Sequence, residues 1–121
     1  MDDKLYDGLR FDFYGELLSD KQKAILDYYY NDDYSLAEIG ALLGMTRQGV
    51  FDAVKRANRQ MEDFEAKLGL LARHLKNREL LRGLTGEITK LTESEIVKNN
   101  PEIKAEIITI KNGIDEIIEG Y

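Results

Sequence analysis

The side chains best suited to bind a ligand lie in one short basic window of an otherwise acidic chain. Residues 1–44 hold four Lys and Arg against ten Asp and Glu, and residues 61–121 hold nine against twelve. Residues 45–60 carry a net charge of +3, although the whole chain carries −6. The window contains Arg47, Lys55, Arg56 and Arg59, with Asp52 as its only anion. Cations clustered in this way favour contact with phosphates or with an acidic partner.

No comparable pattern predicts an enzyme. The chain has one His, His74, and no Cys, and it lacks a glycine-rich phosphate loop. A solvated or interface role suits His74 better than catalysis, because nothing in the sequence completes a catalytic or metal site around it. The carboxylate pairs Asp2-Asp3 and Asp32-Asp33 fall at predicted helix ends, where capping accounts for them. We therefore expect no catalytic residue, no cofactor and no metal ion.

A helix-turn-helix at about Ser35 to Asn58 is predicted to position the basic window. Ser35-Leu36-Ala37-Glu38 is a capping box that opens a short helix through Leu43, and Thr46 caps the next helix. The motif needs a small residue where its helices touch and a Gly at the turn, which Gly40 and Gly44 supply. We expect the inward-facing residues to be Ile39, Leu43, Met45, Val50, Ala53 and Val54. The alternative is an antiparallel helix pair in which Gly44 is only a cap.

The second helix of this motif is the predicted nucleic-acid-binding element. Arg and Gln early in a recognition helix can reach base edges, and Lys and Arg further along can contact phosphates. The predicted contact residues are Thr46, Arg47, Gln48, Asp52, Lys55, Arg56 and Arg59. The alternative is an ordinary solvated helix face. Phe51 lies off the core stripe and is expected either to pack under the first helices or to meet a partner.

Two helices are predicted ahead of the motif. The first runs from about Asp3 to Leu18, with an apolar stripe at Leu5, Leu9, Phe13 and Leu17 that Phe11, Tyr14 and Leu18 widen. The second opens with a capping box at Ser19 and Gln22 and ends at Asn31-Asp32-Asp33. Its inner face is predicted to consist of Ala24, Ile25, Tyr28 and Tyr29.

Heptad patterns follow the motif. The fourth helix is predicted to continue from Thr46 as far as Arg82, with a stripe at Val54, Ala57, Met61, Phe64, Leu68, Leu71 and Leu75. Gly83 and Gly86 suggest a break. Residues 84–99 form either one helix or two, with a possible cap in Thr92-Glu93-Ser94-Glu95. Asn100-Pro101 starts the last helix, whose seam is Ile103, Ile107, Ile110, Ile114, Ile117 and Tyr121, with Ile108 and Ile118 beside it.

These patterns predict an all-α protein with a helical DNA-binding-like domain over residues 1–60. Residues 61–121 form a heptad-patterned extension, expected to be a dimerisation arm. Its isoleucine seam needs a partner surface: the long helix, a second subunit, or both. An intramolecular helical hairpin is the alternative to a homodimer.

The composition is that of a folded protein and is compatible with the cytoplasm. It is 43% hydrophobic and 33% charged, and no apolar stretch approaches the roughly 18 to 20 residues needed to cross a bilayer. No signal-peptide pattern opens it, and the absence of Cys fits a reducing compartment. We expect a soluble, cytoplasmic protein without membrane insertion.

The sequence resembles the YlxM-like family of small bacterial helix-turn-helix proteins, closely over about the first 70 residues. The segments that carry the resemblance are Phe11-Asp12-Phe13-Tyr14, Leu17 to Gln22, Tyr28-Tyr29, Asp32 to Ile39, Arg47 to Asp52 and Lys55-Arg56. The resemblance implies a helix-turn-helix similar to region four of sigma factors. It also implies a link to the signal recognition particle, because genes of the family tend to lie beside those of its GTPase and receptor.

Three functions follow as hypotheses. The first is a DNA-binding regulator, which the overall charge of −6 opposes because like charges repel the phosphate backbone, and which a dimer with two basic helices would favour. The second is an RNA- or protein-binding accessory of the signal recognition particle GTPase, without sequence-specific DNA binding. The third is a dimeric scaffold in which the helix-turn-helix no longer binds a ligand.

Overall fold

The computed structural model describes residues 3–120, and every regular element in that range is a helix, which confirms the all-α prediction. Two positions named above, Asp2 and Tyr121, lie outside the described residues. The chain divides into two compact units, residues 1–71 and residues 72–121. The helices are α1 (Asp3–Tyr14), α2 (Asp20–Leu26), α3 (Leu36–Leu43), α4 (Arg47–Leu68), α5 (Leu70–Glu93), α6 (Glu95–Lys98) and α7 (Pro101–Gly120).

Helix α1 uses a different inner face from the predicted one, and it ends earlier, at Tyr14, before a 3₁₀ turn over Gly15–Leu17. Phe11, Tyr14 and Leu18 are buried in the core of the first unit. The predicted stripe was wrong, because Leu5 and Leu17 are more than half exposed. The three residues expected only to widen the stripe are therefore the core contacts.

Helix α2 begins as predicted at the Ser19 capping box and continues through a π-helical turn over Asp27–Asn31. Its buried residues are Ile25 and Leu26, while Ala24, expected on the inner face, is exposed. The π-helical turn carries three successive tyrosines, which pack against the core without being fully buried. It thereby places aromatic side chains beside the helix-turn-helix.

Helix α4 ends at Leu68, so the prediction of one helix reaching Arg82 was wrong. Gly69 adopts a left-handed conformation with φ +61°, and its N–H bonds to the Glu65 carbonyl. Tyr14 reinforces this corner, because its hydroxyl donates to Glu65 Oε1 at 2.5 Å and accepts from Leu70 N at 3.2 Å. The same carboxylate oxygen accepts from Leu71 N at 3.0 Å.

The first unit extends past residue 60 because the lower part of α4 belongs to its core. Met61 is fully buried there, and Phe64 packs against the same cluster. Leu68, expected on the heptad stripe, is half exposed. The predicted seam is therefore interrupted at the end of α4.

In the second unit, α5 runs without a break through Gly83 and Gly86, contrary to the predicted interruption. Ser94 caps α6 by accepting from Val97 N, and Pro101 opens α7 as predicted. Every described residue of α7 retains some solvent exposure. The isoleucines of its predicted seam differ widely, since Ile107 and Ile114 are partly buried whereas Ile103, Ile110 and Ile117 are exposed.

Candidate nucleic-acid interface

The turn between α3 and α4 is built as the motif requires. Ser35 Oγ accepts from Glu38 N at 3.1 Å, and the Glu38 carboxylate accepts from Ser35 N at 3.2 Å. Gly44 ends α3 in the left-handed conformation at φ +66°, where a side chain would be strained. Gly40 lies so close to the turn that an added Cβ would be 2.5 Å from the Met45 carbonyl oxygen. Both glycines therefore have the predicted roles.

The inner side of α4 fixes which residues face outward. Val50, Val54, Ala57 and Met61 are buried, and Ile39 of α3 joins them in the core. Leu43, which was expected to face inward, is 37% exposed. Met45 and Ala53 pack against the cluster without being fully buried. This agrees with the prediction that both side chains face inward.

The predicted contact residues of α4 are all exposed; those from Gln48 to Arg59 lie opposite the buried stripe, whereas Arg47, three residues before Val50, is exposed at the start of the helix. Thr46 is its N-cap, where Thr46 Oγ1 accepts from Gly49 N at 2.9 Å. Gln48 Nε2 donates to Asp52 Oδ1 at 3.1 Å one turn later. The exposed residues of this surface are Arg47, Gln48, Asp52, Lys55, Arg56 and Arg59.

The four cations of this surface differ from most other basic residues of the first unit. Within residues 3–120, Arg47, Lys55, Arg56 and Arg59 form no ion pair. By contrast, Lys4 pairs with Asp33, Lys23 with Glu16, and Arg10 with both Asp7 and Glu62. Unpaired exposed cations are available to an incoming anion at little cost, because no internal partner has to be displaced.

A groove of about 510 Å³ lies beside this basic surface, where α4 faces α1, α3 and the π-helical turn. Phe51, which is 46% exposed, lines it together with Tyr29 and Tyr30. Lys55 and Arg59 lie on the same wall of the groove. Phe51 thus lies beside two of the unpaired cations, where a partner could reach all three side chains.

Tyr30 is fixed at this groove by Asn58. Its hydroxyl donates to Asn58 Oδ1 at 2.8 Å, and its ring stands edge-on to Tyr29 with the centroids 5.0 Å apart. Burial raises the pKa of Tyr30 to about 12, although its side-chain hydrogen bond with Asn58 lowers it. Lys4 Nζ lies 4.3 Å from the Tyr29 ring centroid. Contacts within the protein thus hold the Tyr29 and Tyr30 side chains in place at the rim of the groove.

Sequence reasoning missed most of this groove. It assigned Tyr29 to the inner face of the second helix, offered that tyrosine-rich helix only in general as an interface, and gave Tyr30 and Asn58 no individual role. The run Tyr28-Tyr29-Tyr30 was the available signal, because three consecutive aromatic residues cannot all face inward from one helix. Its partners are far apart in the sequence, so their meeting could not be read from local spacing.

Residues 3–120 contain neither a metal-binding cluster of acidic or His side chains nor a membrane-spanning helix. No cluster of three or more His, Asp or Glu side chains is arranged there to hold a metal ion. None of the helices in that range is both long and apolar enough to cross a membrane. His74 is partly buried on α5.

Comparison with known proteins identifies the family. Residues 1–101 match the model of the UPF0122 family, whose description is "Putative helix-turn-helix protein, YlxM / p13 like". A UPF0122 protein of Thermoanaerobacter sp. strain X514 is 45% identical over 116 residues, which cover 96% of this chain and 97% of the relative. One from Clostridium novyi strain NT is 39% identical over 118 residues, covering 98% and 100%. On this evidence the chain belongs to the UPF0122 family of YlxM/p13-like helix-turn-helix proteins.

Proposed function

We propose that this protein binds duplex DNA through the exposed side of α4 and acts as a cytoplasmic, homodimeric regulator. The observation that carries the proposal is the group of four exposed cations on the helix that follows the turn, none of which forms an ion pair within residues 3–120. Helices in this position of a helix-turn-helix enter the major groove. Two copies would double the local positive charge, which offsets the repulsion from the acidic remainder of the chain.

The proposed roles of the α4 residues differ with their position along the helix. Arg47 and Gln48 lie in the first turn, from which recognition helices reach base edges. Lys55, Arg56 and Arg59 lie two to three turns further along, where they suit backbone phosphates. Thr46 and Asp52 act through their neighbours, since Thr46 caps the helix and Asp52 accepts a hydrogen bond from Gln48. Asp52 therefore holds the Gln48 amide in one orientation before binding.

We further propose that the regulated process is protein targeting by the signal recognition particle. This step rests on resemblance to the YlxM-like family, and the basic face of α4 is compatible with it. The protein would then act as part of that pathway or as a regulator of it.

A salt titration of duplex binding tests the proposal. A fluorescent 20-base-pair DNA should bind near 50 mM salt, and Arg56→Gln or Arg59→Gln should weaken binding several-fold through the lost phosphate contact. Lys67→Gln is the matched control, because Lys67 is exposed in the last turn of the same helix but outside the basic window. Absence of binding at 50 mM salt, or an equal loss in the Lys67 variant, would contradict DNA binding by this surface.

The groove beside Phe51 favours a second candidate function: an RNA-binding or protein-binding accessory of the signal recognition particle GTPase, without sequence-specific DNA binding. An exposed aromatic ring next to Lys55 and Arg59 suits an unpaired base with its phosphate, and duplex DNA offers no such base.

Capture with the purified GTPase and its RNA distinguishes the two candidates. Phe51→Ala should weaken an RNA complex about fivefold or more, because stacking contributes roughly 1 to 3 kcal/mol per base. Leu42→Ala removes another exposed apolar side chain, from α3 and outside the groove, and should have no effect. If neither RNA nor GTPase forms a complex at micromolar concentration, the accessory function is wrong.

A further inference from the structure

Helix α1 carries an apolar stripe that lies outside the core. Its members follow one another at four-residue spacing, which makes them neighbours along one side of a helix. They are Leu5, Leu9, Phe13 and, in the 3₁₀ turn that follows α1, Leu17. Leu5 is 57% exposed, Leu17 58% and Phe13 36%, and Leu9 is partly exposed. The stripe is therefore accessible over about 18 Å, or roughly three helical turns.

A groove of about 320 Å³ lies beside the first half of the stripe, between α1 and the π-helical turn. Leu5, Leu9 and Tyr30 line it. Gly8 lines it too, and because Gly8 has no side chain the Tyr30 ring stays uncovered, since an added Cβ would lie 3.6 Å from that ring. A cavity of about 150 Å³ holds a benzene molecule, so this groove has room for a bulky apolar side chain.

A row of charged side chains accompanies the stripe, one residue ahead of its members. Lys4 begins the row, and its bond to Asp33 at 2.9 Å balances its charge. Asp12 and Glu16 follow, and both are exposed. Asp12 forms no ion pair within residues 3–120, and Glu16 contacts Lys23 in a surface pair, which contributes little. The stripe therefore has an acidic border, which attracts Lys or Arg and repels phosphates.

We propose that this surface binds a basic amphipathic helix of a partner protein. We call it the α1 face, which consists of the groove, the stripe of Leu5, Leu9, Phe13 and Leu17, and the border of Asp12 and Glu16. Amphipathic helices insert apolar anchors three or four residues apart into such grooves, and Lys or Arg beside those anchors would meet the acidic border. The inference goes beyond the proposed nucleic-acid binding, which uses α4, and does not depend on it.

The charges disfavour a second copy of this chain on the α1 face. In an antiparallel pair of α1 helices the two acidic borders would face each other, which like-charge repulsion opposes. In a parallel pair each border would face the opposite edge of the other helix, where Arg10 is the cation. Arg10 is already bound by Asp7 and Glu62 and is largely buried. A basic helix from another protein therefore fits the border better.

Two synthetic peptides of about 14 residues test the chemistry of the partner. Both form a helix with Leu along one face, and the other positions are Lys in one peptide and Glu in the second. Fluorescence anisotropy with the full chain should show micromolar binding of the Lys peptide and at least about tenfold weaker binding of the Glu peptide. Absence of binding by the Lys peptide at about 100 µM would overturn the proposal.

Charge reversal locates the binding on the α1 face. D12K/E16K should weaken binding of the Lys peptide about tenfold or more and should make the Glu peptide the tighter ligand, which also shows that the variant is folded. E102K/E106K is the matched control, because it makes the same change of charge at the same spacing on α7, where both residues are exposed. It should leave the preference for the Lys peptide unchanged. An equal loss in both variants would mean general attraction to an acidic chain and would overturn the site.

The apolar stripe has its own control. Leu5→Ser should weaken binding of the Lys peptide about fivefold or more, whereas Leu42→Ser should leave it unchanged, although Leu42 is also 57% exposed. Wild-type affinity in the Leu5 variant would show that the peptide binds elsewhere, and the α1 face would be wrong. A chain that self-associates only while Leu5 is intact, and does not bind the Lys peptide, would show that a second copy covers this face and would also refute the proposal.

Discussion

Replacing Gly40 by Ala tests whether the corner of the helix-turn-helix is as tight as its geometry indicates. The added Cβ would lie 2.5 Å from the Met45 carbonyl oxygen, and real Cβ contacts are essentially never shorter than 3.0 Å. The backbone of the turn must therefore retreat by at least about 0.5 Å. The added Cβ is bonded directly to the Gly40 backbone, and the carbonyl oxygen belongs to the Met45 backbone. No flexible side chain can therefore absorb that movement.

The expected loss follows from two opposing terms. Overpacking costs about 1 to 3 kcal/mol, and this rigid contact belongs at the upper end. Ala also favours the helix over Gly by about 1 kcal/mol. The net destabilisation should be about 2 kcal/mol. With a urea m-value of about 1 to 2 kcal/mol/M, the midpoint should fall by about 1 to 2 M.

Tyrosine fluorescence during urea unfolding is a suitable assay, because six of the seven Tyr lie between residues 6 and 34, in the first unit. Gly8→Ala is the matched control. An added Cβ at Gly8 would be 3.6 Å from the Tyr30 ring, an ordinary contact, so this variant should gain roughly 0.5 to 1 kcal/mol. If Gly40→Ala were as stable as Gly8→Ala, the reasoning about the corner would be refuted.

Two further predictions concern tyrosine hydroxyls. Tyr14→Phe should destabilise the first unit by about 1 to 3 kcal/mol in the same urea assay, because it removes the hydroxyl that accepts from the Leu70 N–H and donates to Glu65 Oε1; an unchanged midpoint would show that this network contributes nothing. In an alkaline absorbance titration, Tyr30 should ionise near pH 12 rather than 10, since burial raises its pKa. The folded state retains the Tyr30 proton more strongly than the unfolded state does, so this tyrosine stabilises the fold fully below pH 10. That stabilisation is lost as the pH rises from 10 to 12. Tyr30→Phe should remove one late-ionising group, and a titration in which the number of late groups is unchanged would contradict the assignment.

The helix starts could be predicted from the sequence because capping acts within one turn. Ser19, Ser35 and Thr46 each bond to a backbone N–H three residues later, so the signal and its effect lie in the same short segment. The end of α3 could be predicted for the same reason, because the left-handed conformation of Gly44 terminates that helix locally.

The helix break was misplaced because glycines look alike in a sequence. Gly83 is accommodated inside α5, whereas Gly69 ends α4. What distinguishes Gly69 is a long-range contact, in which Tyr14 from α1 bonds to the Glu65 side chain and to the Leu70 backbone. Such a partner cannot be inferred from spacing alone.

The candidate interface was predictable only in part. Helical periodicity placed Lys55 and Arg56 on the outer side of α4, opposite the apolar stripe. Their lack of an ion-pair partner depends on where the acidic residues of other helices lie, which is a property of the tertiary structure. The groove at Phe51 depends in the same way on how α1 and α3 pack against α4.

The central claim is that Lys55, Arg56 and Arg59 of α4, which form no ion pair within residues 3–120, bind phosphates, and the salt dependence of duplex binding tests it most directly. The slope of log affinity against log salt should fall by about 0.9 for each phosphate contact removed. The variant K55Q/R56Q/R59Q should therefore lose about 2.7 units of slope per chain relative to the wild type, with helix content unchanged. A variant that keeps the wild-type slope would contradict the claim, because phosphate binding would then reside on another surface.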